Sequence, residues 1–224
     1  MVDPAGAYLF FLGVASGLAL LTLTAYRYVS PLWLRWLLRL VGLFVLSRYV
    51  AMALFTAEDA VHRVWSLRYC WFATSVGVTL PSVIAIDQLL RHPALSPKKL
   101  LIWFSPFLLV YAVVILFARM TPAPDPVIGW IPRLQLGWQL LLAAVQTIFV
   151  LGFVGICGVV IRKVPVAAVR SALSLLAVSH LYLGFDGLLL ALGRWYFRPF
   201  LFSEMLALVS IWHAYETSVR LHGR

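Results

Sequence analysis

The strongest constraint on this chain is that apolar runs about 20 residues long recur from one end to the other, separated by short basic or proline-rich turns. One such run would suit a buried helix in a soluble core. A whole chain of them does not, because 63% of the 224 residues are apolar and only 12% are charged. Mean hydropathy is +0.96. The outer faces must therefore be solvated by lipid, where each segment has to satisfy its own backbone polar groups and closes into a helix. The expected fold is all-α, with residues 1–224 forming one polytopic, seven-transmembrane helix bundle.

The runs cover residues 7–26, 37–57, 69–90, 100–118, 134–161, 166–192 and 200–219. Asp3 is the only charge before the first run, so that run reads as a span and not as a signal peptide. Gly13 and Gly17 make a GxxxG step, and Gly152, Gly155 and Gly158 form a second small-residue face open to close helix packing. Pro31 ends the first turn, and Pro81 sits inside the third span, where it frees a carbonyl and predicts a kink. Pro122, Pro124, Pro126 and Pro132 make residues 120–132 a stiff, non-helical connection able to act as a small lid.

The net charge of +10 would suggest nucleic acid in a soluble protein, but here the basic residues lie mainly in loops between spans. Seven crossings put eleven Lys and Arg on one side and six on the other, with Arg48 inside a span. The positive-inside rule then gives an outside N-terminus and a cytoplasmic C-terminus, in a bacterial inner membrane or a plasma membrane. Lipid headgroups account for the basic turns, and nucleic acid is not an expected partner. Cys70 and Cys157 fall at opposite depths, which argues against a bridge, and no CxxC or thiolate cluster is present.

Ionisable groups inside spans are the default functional candidates, because hydrocarbon penalises them unless they are paired. Arg48 lies in the outer half of the second span, at a depth that permits a pair with Asp186 or Glu204. Such a pair is read either as a structural lock or as a switch responsive to ligand or protons. His180 lies near mid-span, and His213 and Glu216 share a face further along the last span. Two histidines at different depths offer little for a metal or haem centre; interhelical hydrogen bonding is the simpler role.

Glu58, Asp59, His62 and Arg63 form the string E-D-A-V-H-R, a candidate outer site. It resembles the paired-acid and arginine motif of membrane-embedded CAAX-type proteases, and that resemblance would make His180 and His213 the partners that activate water. The match departs at Asp59, at Leu176 and at Thr217. H-E-x-x-H, G-x-S-x-G and P-loop motifs are absent, and the last span has no lysine for a retinal Schiff base.

Residues 68–92 read R-Y-C-W-F-A-T-S-V-G-V-T-L-P-S-V-I-A-I-D-Q-L-L-R-H. An aromatic-rich span start at Trp71, a mid-span Leu80-Pro81 and a basic turn at Arg91 resemble the third span of the seven-helix N-terminal sensor region of bacterial membrane histidine kinases. The resemblance implies the same orientation and an output domain on the cytoplasmic side. Eight residues follow Glu216, with no phosphoacceptor helix, ATP-binding domain or cyclase among them. The expectation is a non-enzymatic membrane sensor or regulator that passes a ligand or membrane signal to a separate protein, unless the chain is a fragment. The alternatives are an intramembrane enzyme, protease-like or lipid-modifying, and a structural subunit of a membrane complex. No cofactor is implied by any motif.

Overall fold

The computed structural model describes residues 4–57, 61–92, 95–125, 129–192 and 201–222. In chain order these form α1 (Pro4–Ala25), α2 (Leu32–Leu54), α3 (Val61–Trp71), α4 (Ala73–Leu90), α5 (Pro97–Phe117), the strands β1 (Met120–Asp125) and β2 (Gly129–Leu134), α6 (Leu136–Lys163), α7 (Ala167–Ala191) and α8 (Leu201–His222). Six stretches are long and apolar enough to cross a membrane: α1 with the turn after it, α2, α3 joined to α4, α5, α6 and α7. The 22-residue α8 also has the length to cross, but it carries Glu204, Glu216 and Arg220 and is the most polar of the long helices. The architecture is that of a multi-pass helical membrane protein.

The middle of the bundle is α4. It packs against α2, α5, α7 and α8, while α8 also touches α1 and α7. Almost every residue of α4 from Val76 to Leu89 is buried, as expected for a helix apolar on all sides. Its Ile84 and Ala85 belong to one buried cluster with Leu173 and Leu176 of α7 and Ile211 and Ala214 of α8. The outward faces are greasy instead, with Phe10, Ile102, Trp103, Leu116, Phe117 and Ile148 exposed.

Lipid tails are as apolar as leucine, so helix association rests on close packing and interhelical hydrogen bonds. Polar side chains of α8 supply several of these bonds. Tyr215 donates to the Pro81 carbonyl at 2.9 Å, and Ser218 donates to the Gln88 carbonyl at 2.7 Å. The Leu208 carbonyl accepts from Thr22 of α1 at 3.3 Å. The close approaches run through Gly77, where a Cβ would overlap Val45, and Gly42, where it would strike Leu23. The glycines singled out by spacing behave differently: Gly13, Gly17, Gly152, Gly155 and Gly158 have nothing within 4 Å of the Cβ position.

The third crossing is divided at Phe72, nine residues before the proline expected to disturb it. The Phe72 carbonyl accepts the Tyr111 hydroxyl and the Ser75 N–H, while Pro81 lies within continuous helix. The chain is already helical at Val61, earlier than the apolar run suggested, so His62 and Arg63 lie on α3. Of the proline-rich connection, Pro126 lies outside the described residues, and the segments 120–125 and 129–134 form an antiparallel ribbon in which Pro122 faces Pro132 and Thr121 faces Arg133. In a two-stranded ribbon both strands have an unpaired edge, which tolerates proline. The ribbon rests on α3 and is pinned to the end of α2 by a 3.2 Å bond from the Trp130 N–H to the Phe55 carbonyl.

Candidate functional site

Arg48 enters the bundle interior from the last third of α2, and Glu204 meets it from the first turn of α8. The Nη2 of Arg48 lies 2.7 Å from Oε1 of Glu204, with the side chains 2% and 1% exposed. Nε of the same guanidinium reaches Oε2 at 3.5 Å, so the fork of donors faces both carboxylate oxygens. Tyr49 donates to Oε2 at 3.1 Å and Thr74 to Oε1 at 3.2 Å. The guanidinium stands 5.0 Å from the centroid of the Trp71 ring. A buried ion pair persists in a medium of low polarity only with further support; Tyr49 and Thr74 bond the carboxylate, and the Trp71 ring faces the guanidinium.

The pair forms part of the wall of a cavity of about 510 Å³. Trp71, Phe72, Thr74 and Val78 form one side, and α6 from Leu136 to Gln146 forms the other. Leu183 and Gly187 of α7 and residues 131–134 of β2, among them the exposed Arg133, complete the lining. The site thus lies at the end of the bundle where α2, α5 and α7 finish, α6 and α8 begin, and the ribbon sits. Its walls are largely apolar, with the charged Arg48, Arg133 and Glu204 among a few polar points that include Thr74, Gln139 and Gln146. Such a composition, and a volume within the range of about 300–1,000 Å³, is what small-molecule pockets have in common. Oε1 of Gln146 is buried and has no hydrogen-bond partner among the described residues.

Other residues expected from sequence fall elsewhere. Asp186 immediately precedes the cavity-lining Gly187, but its hydrogen-bond partner is Ser203, next to Glu204 in the chain. His180 is fully buried deeper in α7. Its Nδ1–H donates to the Leu176 carbonyl at 2.9 Å and its ring lies 4.5 Å from that of Phe153. Its Nε2 has no partner among the described residues. His213 and Glu216 are half-buried on α8, and His62 is exposed on α3. None of these three residues, nor His180, lines the cavity. Glu58 and Asp59 lie outside the described residues. Among the described residues no group of three or more His, Cys, Asp or Glu could hold a metal ion, and Cys70 and Cys157 are both free thiols.

Sequence reasoning did not single out Tyr49, Thr74, Gln139, Gln146 or Arg133. A signal for some of them existed. Gln139 and Gln146 are seven apart, two turns along one helix face, and Ser75 and Thr79 are one turn apart in an otherwise apolar stretch. No protein-family model, no curated protein and no solved structure matches this chain.

Proposed function

We propose that this chain is a non-enzymatic membrane sensor or regulatory domain that receives a small molecule in the cavity beneath the β1–β2 ribbon. The observation that carries this reading is a buried Arg48–Glu204 pair in the wall of a pocket-sized space, lined also by a ribbon that is pinned to α2. Glu204 begins α8, and α8 runs the length of the bundle to His222. A ligand that alters the pair biases the packing of α8 against α1, α4 and α7. With seven crossings, α8 being the last, the eleven-to-six bias in loop charge puts the ribbon and cavity outside and the end of α8 in the cytoplasm. A partner protein there would read the change. This is the arrangement implied by the resemblance of residues 68–92 to the sensor region of membrane histidine kinases.

The intramembrane-enzyme reading requires its acids and histidines to converge on a wet space, and His62, His180, His213 and Glu216 lie outside the cavity. A plug tests the sensor reading directly. A Cβ at Gly187 meets nothing within 4 Å, so Gly187→Phe fills the cavity without disturbing the backbone. Native mass spectrometry of gently extracted protein should show a stoichiometric bound small molecule that is lost in Gly187→Phe. On incubation the molecule should remain chemically unchanged. Its conversion to a product by the purified chain would replace the sensor reading with an enzymatic one.

A further inference from the structure

The charges around the cavity do not balance. Among the described residues, Arg48 and Arg133 lie on its lining against the one carboxylate of Glu204. Glu204 already engages Arg48, and Arg133, on the exposed side of β2, forms no ion pair among the described residues. A neutral molecule entering past β2 would gain nothing from the exposed Arg133, and a cation would be repelled by it. An anion would be held by a charge-assisted bond. Behind Arg133 the walls are apolar, with Trp71, Phe72, Leu142 and Leu183. From Leu136 to Gln146 the cavity follows α6 for about 15 Å, at 1.5 Å per residue. That is an elongated space with one unmatched, exposed positive charge on its lining.

We infer that the ligand is a singly charged anionic amphiphile, its acid group on Arg133 and its apolar body along α6 and Trp71. The inference rests on the cavity being the ligand site. A free fatty-acid-like carboxylate and an anionic phospholipid that inserts one chain share this chemistry.

The chain in phosphatidylcholine nanodiscs, at mildly alkaline pH where the acid is ionised, is titrated with 11-bromoundecanoate and with the neutral 11-bromoundecanol. Bromine quenches tryptophan, and of the nine tryptophans Trp71 lines the cavity, so the signal read is the part of the quench that is lost in Trp71→Phe. The expected result is a saturable quench for which the acid is at least tenfold more potent than the alcohol. Arg133→Gln, at an exposed position whose loss leaves the fold intact, should bring the acid down to the level of the alcohol. Equal potency of the two probes, or an acid preference that survives Arg133→Gln, overturns the anionic class while leaving the cavity as a ligand site. A quench that never saturates with either probe, in wild type as in Gly187→Phe, removes the cavity reading as well. Displacement of the acid by phosphatidylglycerol in the disc assigns the anion to the bilayer, and lack of displacement assigns it to a free acid; both outcomes keep the class.

Discussion

Arg48 and Glu204, 156 positions apart in the chain, bring their Nη2 and Oε1 atoms to 2.7 Å inside the bundle. Both side chains are almost fully buried, so each depends on the other's charge, with Tyr49 and Thr74 completing the bonds to the carboxylate. Removing one partner leaves an uncompensated buried charge, which destabilises by about 3–5 kcal/mol. Arg48→Met and Glu204→Leu should each lower stability by that order in detergent or bicelle unfolding, and the double variant should recover most of the loss. Strict additivity of the two losses would mean that the pair is not coupled.

Arg48→Lys keeps the charge but not the fork or the flat face over Trp71. An ammonium reaches one carboxylate oxygen well and stacks poorly, so a loss on the order of 1–2 kcal/mol is expected, short of Arg48→Met. Stability equal to wild type would show that charge alone matters at this position.

Asp186 bonds Ser203 and takes no part in the ion pair. Asp186→Asn retains a side-chain oxygen for that bond. It should change stability by less than about 1 kcal/mol and leave the coupling of Arg48 with Glu204 intact. A loss approaching that of Glu204→Leu would place Asp186 inside the network.

Gly77→Ala puts a methyl group where Val45 already is. Overpacking of this kind destabilises by about 1–3 kcal/mol. Gly13→Ala and Gly17→Ala enter open space and should stay within about 1 kcal/mol of wild type, on the stable side, since alanine is the better helix former. The opposite ranking in a thermal unfolding series would mean that α1 and not α4 carries the close helix contact.

Gly129 adopts φ 93°, and a Cβ there would stand 2.7 Å from the Phe55 carbonyl. Gly129→Ala therefore strains the backbone by about 1–3 kcal/mol and pushes the ribbon off α2. Hydrogen exchange at the Trp130 amide, which donates to Phe55, should rise sharply while the amides of α4 keep their protection. Unchanged exchange at Trp130 would show that the ribbon is not seated through that bond.

Much of the helical plan was legible in advance because hydrocarbon leaves few choices: a long apolar run without water must close its own hydrogen bonds as a helix. Arg48 and Glu204 stood out for the same reason, since a charge in such a run demands an account. The exact partner could not be read from depth, which allowed Asp186 as readily as Glu204. Nor could the functional glycines be told from idle ones: Gly77 has no GxxxG spacing, while Gly13 and Gly17 have it and face open space. Nor did any proline mark the break in the third crossing, which falls at Phe72, where Tyr111 reaches in from α5.

What the amino-acid order determined by itself was local and solvent-driven: which segments are helices, how long they are, and where polar atoms are too costly to be accidental. What only the tertiary structure decided was which faces meet. That choice made Glu204 the partner of Arg48, folded the proline-rich connection into a ribbon that lines a cavity, and set Arg133 beside it. Helix formation is settled within a few residues by hydrogen bonds along one segment, whereas the neighbour of a given face depends on the shape of every other helix in the bundle.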